Sequence, residues 1–151
     1  MPERLPMNEL FVDTNVFLRF LTEDIPKQAQ VVEHILQHAA TGEITLSTSA
    51  FVMAEIIWTL QSYYELSREE VRDKVLAILN TPGLKVENAN MIALAMAVCV
   101  DKNIDFIDAY NTLWMGENDL DQVVTFDTKH LSRVEGIRAK TPEEVLSAIS
   151  D

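Results

Sequence analysis

The chain has only one cysteine, four glycines and no long apolar run in its 151 residues. Because Cys99 has no second cysteine to pair with, and because the N-terminal residues show neither a basic nor a long apolar stretch, the sequence predicts a protein of the reducing cytoplasm. The longest apolar run covers residues 91–100. A membrane-spanning helix needs about 20 such residues, so we expect no membrane span.

Basic residues are also scarce. Twelve Lys and Arg stand against 24 Asp and Glu, which gives a net charge of -12. Broad electrostatic binding of nucleic acid needs a basic surface, so this composition argues against it and suits a protein that binds cations or a basic partner. Since 48% of the residues are hydrophobic, the length and composition together predict one domain with a proper core.

Short apolar runs alternate with helical patterns along the chain. Helix start signals stand at Pro26, at Ser67 with Glu70 three residues later, and at Thr141 followed by Pro142. The last of these predicts a final helix at about 141–149. This alternation predicts an α/β fold in which helices cover a short, mostly parallel, twisted sheet.

Two of the predicted strands run into an aspartate. The run 10–12 precedes Asp13 and predicts a strand buried on both faces, and the run 122–126 precedes Asp127. If the two strands are parallel neighbours, both carboxylates reach the same edge of the sheet, where ligands bind in such folds. The alternative is that each aspartate only starts a turn or caps the next helix.

Glu55 is the only charged residue between positions 43 and 65 and lies within a predicted helix. The alternative to a functional role is a thin polar stripe that faces water, formed by Thr48, Glu55, Thr59 and Ser62. The apolar side chains of Phe51, Ile56 and Trp58 crowd this stripe on both sides. That crowding favours a functional carboxylate, since glutamate is rarely buried without a partner.

Asp105 and Asp108 are three residues apart, so both can lie on one face of the first turn of a helix. The alternative is an N-cap followed by an acid that the helix dipole favours. Several carboxylates gathered at one place would raise each other's pKa unless a cation offset their charge. With oxygen ligands alone, the expected metal is Mg²⁺ or Mn²⁺.

Four short motifs occur in an order that resembles the PIN domain, and most closely VapC-type ribonuclease toxins of toxin–antitoxin modules. They are Val12-Asp13-Thr14-Asn15, Glu55 within its helix, Asp105-Phe106-Ile107-Asp108-Ala109, and Thr125-Phe126-Asp127. The resemblance covers residues 10–137. It implies a three-layer α/β/α sandwich, a single domain over residues 1–151 with its core at about 10–137, and a nuclease that depends on Mg²⁺ or Mn²⁺ and cleaves single-stranded RNA.

The resemblance also assigns roles to residues. The catalytic quartet would be Asp13, Glu55, Asp108 and Asp127, which would bind the metal together with Asp105 as an auxiliary ligand. Asn15 and Thr125 match positions that support the carboxylates by hydrogen bonds. Members of the family commonly form homodimers and are silenced by an antitoxin protein whose tail enters the site. Both partners are therefore expected here.

Two other functions compete with this interpretation. A phosphatase of the haloacid dehalogenase type also begins with an aspartate after a strand, but it requires a second aspartate where this chain has Asn15. A non-catalytic, protein-binding domain with a PIN-like fold would suit the negative charge. Basic side chains near the predicted site in sequence, Arg19, Lys27 and Lys129, are candidates for contacts with substrate phosphates.

Overall fold

The computed structural model describes residues 9–150, so the two ends of the predicted 1–151 domain lie outside the described residues. The strands are β1 (Glu9–Phe11), β2 (Thr45–Thr48), β3 (Leu84–Val86), β4 (Gln122–Val124) and β5 (Arg138–Lys140). The helices are α1 (Thr14–Thr22), α2 (Pro26–Ala40), α3 (Ala50–Ser62), α4 (Arg68–Leu79), α5 (Ala89–Lys102), α6 (Phe106–Glu117), α7 (Thr128–Leu131) and α8 (Pro142–Ile149). The chain forms two units, one ending at Ala93 and the other beginning at Leu94, within α5.

The first unit contains a parallel sheet of three strands in the order β1-β2-β3. Parallel neighbours require crossover connections, and α1 with α2, and α3 with α4, supply them. The core of this unit is made of side chains that are at most 2% exposed, among them Leu46, Met53, Ile56, Ile57, Leu60, Val71, Val75 and Ile92. The predicted α/β class with parallel strands is confirmed.

The prediction that the first strand is buried on both faces is wrong. Among residues 9–150, β1 pairs within its sheet with β2 alone, so it is an edge strand there, and the side chain of Phe11 is 64% exposed. Val12, which follows the strand, is buried. An apolar run of three residues cannot distinguish an edge strand from a central one, because that depends on which strands pair with it.

The helix boundaries follow the local signals in the sequence. Ser67 and Glu70 form the predicted capping box at the start of α4, in which the Ser67 hydroxyl accepts a hydrogen bond from the Glu70 N–H and the Glu70 carboxylate accepts one from the Ser67 N–H. Thr141 caps α8 in the same way, with Pro142 in its first turn. The predicted C-terminal helix is therefore confirmed.

The second unit contains β4 and β5, which form a parallel pair with Val123 opposite Ala139. The strand β4 ends at Val124, two residues before the predicted end, and Phe126 is exposed. Asp127 consequently lies three residues beyond the end of β4 and directly before α7. Across residues 9–150, none of the helices combines the length and the apolar character that crossing a membrane requires.

Candidate active site

Asp13 is exposed and occupies the N-cap position of α1. Its Oδ1 accepts a hydrogen bond from the Thr14 N–H at 2.8 Å. The capping role that the sequence left open as an alternative is therefore present. It does not exclude a second role, because an ionised carboxylate has two oxygens and about four acceptor sites, and the cap uses one of them.

The residue before Asp13 is held on both sides by β2. The Val12 N–H donates to the Ser47 carbonyl at 2.9 Å, and the Thr48 hydroxyl donates to the Val12 carbonyl at 2.8 Å. Thr48 is one of the few buried polar residues, so this hydrogen bond lies away from water. Because both backbone groups of Val12 are bound, the start of α1 is anchored to the end of the sheet, and the position of Asp13 is fixed with it.

Glu55 lies in the middle of α3 and is exposed. Helical spacing places Phe51, Glu55 and Trp58 on one face, and the two aromatic side chains are 87% and 67% exposed. The argument that crowding by apolar neighbours marks Glu55 is therefore wrong, because only Ile56 of those neighbours is buried. The α1 and α3 helices, which carry Asp13 and Glu55, are in contact within the first unit.

The second unit brings three of the predicted acids together. Asp105 occupies the N-cap position of α6 without a side-chain hydrogen bond that caps the helix, and Asp108 lies in the first turn. Partial burial, followed by the negative charges of Asp105 and Asp127, raises the pKa of the Asp108 carboxyl above its ordinary value, and His130 opposes this shift. Asp105 and Asp127, although 22 positions apart in the chain, thus both act on Asp108.

Asp127 is exposed and caps the short helix α7. Its Oδ1 accepts from the His130 N–H at 3.4 Å, and its Oδ2 lies 2.7 Å from the His130 Nδ1. The hydrogen bond from the His130 side chain is the main reason why the pKa of Asp127 lies below its ordinary value. The Thr125 hydroxyl accepts a hydrogen bond from the Asp127 N–H at 3.0 Å, so Thr125 supports this residue through its backbone.

The sequence interpretation missed His130. An ionised carboxylate only accepts hydrogen bonds, so the 2.7 Å contact requires the proton on Nδ1 of the histidine. This bond orients the Asp127 carboxylate. The sequence contains one sign of this contact. His130 follows the N-cap aspartate by three residues, and this spacing places both residues on one side of the first helical turn.

A metal ion would have to be held by oxygen atoms from these carboxylates. Among residues 9–150, no three side chains of His, Cys, Asp or Glu form a ready group that could hold a metal ion. The donor chemistry nevertheless fits Mg²⁺ or Mn²⁺, and after partial burial the charges of Asp105 and Asp127 contribute to the raised pKa of Asp108. The predicted ligand set Asp13, Glu55, Asp105, Asp108 and Asp127 stays a prediction.

The structure is that of an α/β protein in which helices alternate with parallel strands. Three of its helices, α1, α6 and α7, have an aspartate at the N-cap position. The family model described as PIN domain matches residues 10–137. The chain belongs to the PIN domain family. PIN domains are generally nucleases that use divalent metal ions. A search of curated proteins finds no significant match.

Proposed function

We propose that the protein is a metal-dependent endoribonuclease that cleaves phosphodiester bonds of single-stranded RNA in the cytoplasm. The observation that carries the proposal is the match of the PIN domain family over residues 10–137, the segment that contains every predicted site residue. Membership of the PIN domain family supports the assignment of nuclease activity. The choice of RNA and of Mg²⁺ or Mn²⁺ rests on the motif resemblance and on the all-oxygen donor set.

In the proposed mechanism Asp13 and Asp127 would hold the metal ion, with Asp105 as an auxiliary ligand. Glu55 and Asp108 would complete the group of ligands and help to orient the attacking water. A metal ion held there would supply Lewis acidity, which would make a bound water more acidic and offset charge on the phosphate.

Supporting residues keep these groups in place. His130 and Thr125 hold Asp127 through its side chain and its backbone, respectively. Thr48 holds the backbone in front of Asp13. Fixed ligand positions lower the cost of gathering like charges around a cation. We assign Asn15, which is exposed in the first turn of α1, to hydrogen bonding at the same site.

We further propose that the protein is the toxin of a toxin–antitoxin pair and acts as a homodimer. The exposed apolar side chains of Ile107 and Trp114 on α6, spaced seven residues apart on one face, support a protein contact there. Asp108 lies on a different face of the same helix. The negative net charge suits an antitoxin tail with basic residues.

The test is cleavage of a mixed-sequence fluorescent RNA with and without Mn²⁺. We expect the wild type to cleave only with the metal and Asp13→Asn to lose at least 100-fold in rate, on the order of the effect of removing a group that stabilises the transition state. The control is Asp73→Asn on α4, whose exposed carboxylate pairs with Arg72 at 3.3 Å. Undiminished cleavage by Asp13→Asn would overturn the proposal. Growth arrest on expression of the wild type, but not of Asp13→Asn, tests the toxin role.

A further inference from the structure

A groove lies between α1 and α2 in the first unit, and it encloses a volume of about 550 Å³. Sites for small molecules and cofactors span about 300–1,000 Å³, so a single nucleotide is within its range. Three valines line the groove, Val16, Val31 and Val32. The polar residues that line it are Asn15, Arg19, Lys27 and Gln28.

These valines present apolar surface to water. Val31, on α2, is 63% exposed, whereas Ala29 and Ala39 of the same helix are buried. A planar nucleobase has an apolar face of suitable chemistry to cover Val31, and this burial would be favourable in proportion to the apolar area removed from water.

Two of the lining residues, Arg19 and Lys27, are basic in a chain that has few basic residues. The Arg19 Nε donates to the Gln28 side-chain oxygen at 2.9 Å, and its Nη1 donates to the Asp24 carboxylate at 3.4 Å. These bonds hold the guanidinium in place and use two of its five N–H donors. Lys27 is exposed and makes no hydrogen bond or ion pair within the described part of the chain. Two cationic side chains and three valines that line one groove match the chemistry of a phosphate and a base.

The groove also has a direct connection to the proposed catalytic residues. Asn15 lines it and belongs to the first turn of α1, whose N-cap is Asp13. Arg19 follows four residues later, which is about 6 Å along the helix axis. A chain of nucleotides lying along α1 would therefore lead from the groove to Asp13.

We propose that this groove binds one nucleotide of a single-stranded RNA, with the base against the three valines and the phosphate near Arg19 and Lys27. The proposal rests on the proposed ribonuclease function and names where the substrate is held. It also explains how a protein of net charge -12 could bind RNA. Affinity would come from one local site rather than from a broad basic surface.

The test measures binding separately from cleavage, in the Asp13→Asn background and with a chelator present. The probe is a fluorescein-labelled unstructured RNA of ten nucleotides, followed by fluorescence anisotropy at several salt concentrations. Adenosine 5′-monophosphate, adenosine and inorganic phosphate serve as competitors. The test variants are Lys27→Gln and Val31→Asp, and the matched controls are Lys85→Gln on β3 and Ile35→Asp, one turn further along α2. Both test positions are exposed, so folding should persist, and a melting curve checks this.

We expect Lys27→Gln to weaken binding and to reduce the slope of log affinity against log salt by about 0.7, the value for one phosphate contact on a single strand. Val31→Asp should weaken binding by roughly tenfold, because it places a like charge beside the phosphate and removes apolar surface. Both controls should stay within about twofold of the parent protein. The mononucleotide should compete better than adenosine or phosphate alone.

Equal affinities in the test and control variants would overturn the proposal, as would a mononucleotide that competes no better than inorganic phosphate. If Val31→Asp changes the oligomeric mass and leaves RNA affinity intact, the groove belongs to a second copy of the chain. These outcomes are distinguishable from failure of the proposed function. If the test variants bind RNA more weakly but the wild type cleaves no RNA, the nuclease proposal alone is refuted. If the wild type cleaves RNA but the test variants bind it as tightly as the parent protein, the groove proposal alone is refuted.

Discussion

Replacing Asp108 by asparagine should abolish cleavage and at the same time stabilise the metal-free fold. Like charges one helical turn apart cost about 0.2–0.5 kcal/mol per pair, which applies to Asp105 and Asp108, and Asp127 adds a repulsion of the same sign. The substitution removes both repulsions and the partial desolvation of a charge, and it also removes the smaller attraction to His130. We therefore expect the free energy of unfolding to rise by about 0.5–1 kcal/mol at pH 7, which corresponds to roughly 1–4 °C in melting temperature for a chain of this size.

The sign of the pH dependence follows from the raised pKa of Asp108. A carboxyl group whose pKa is higher in the folded than in the unfolded state favours folding when it is protonated. That contribution is complete below the unfolded pKa and is lost as the pH rises through the folded pKa. The advantage of Asp108→Asn over the wild type should therefore be present at pH 7 and disappear in acid, below the ordinary range of aspartate.

The assay is thermal unfolding followed by circular dichroism at pH 7 and at pH 3, with a chelator and then with Mn²⁺. Metal at 100 times its dissociation constant should stabilise the wild type by about 2.7 kcal/mol, and the variant by less. The control, Glu135→Gln, removes an exposed acid of the same unit and should change stability by less than about 0.5 kcal/mol. Most substitutions destabilise, so the expected gain in stability is specific to the electrostatic argument. A loss of stability in metal-free Asp108→Asn would refute that argument.

Two further predictions concern the fold and the proposed dimer. Gly83 has a φ of +80°, and an added Cβ would lie 2.2 Å from the Ala39 carbonyl oxygen. Gly42 also has a positive φ but has open space around it, so Gly42→Ala should cost only the left-handed strain of about 1–2 kcal/mol. Gly83→Ala should lower the free energy of unfolding in urea by clearly more than that. Equal losses in the two variants would contradict the clash. Trp114 is 50% exposed, and Trp114→Lys should convert a dimer into a monomer in light scattering; an unchanged dimer mass would exclude this face.

The parts of the fold that were predictable from the sequence depend on local interactions. The capping box of Ser67 and Glu70, the start of α2 at Pro26, and the start of α8 at Thr141 each involve residues within one helical turn. Such contacts form wherever the local sequence allows them. They explain why these three helix starts can be predicted from the sequence independently of the rest of the chain.

The errors involve contacts between distant parts of the chain. The exposure of Phe11 depends on β1 having a single neighbour in its sheet, and the exposure of Glu55 depends on which face of α3 is covered. The pKa of Asp108 depends on Asp127, which only the packing of α6 with α7 brings near. Residue identity and spacing along the chain carry no information on these distances.

The exposed face of α3 makes the protein suitable for optical measurements without a label. Trp58 lies one helical turn after Glu55 on that face, and the chain has only one other tryptophan. In a variant that lacks Trp114, all indole emission would come from the immediate surroundings of Glu55. A cation or a nucleobase that arrives at this carboxylate would change the polarity around Trp58, and its arrival rate could be followed by stopped-flow fluorescence.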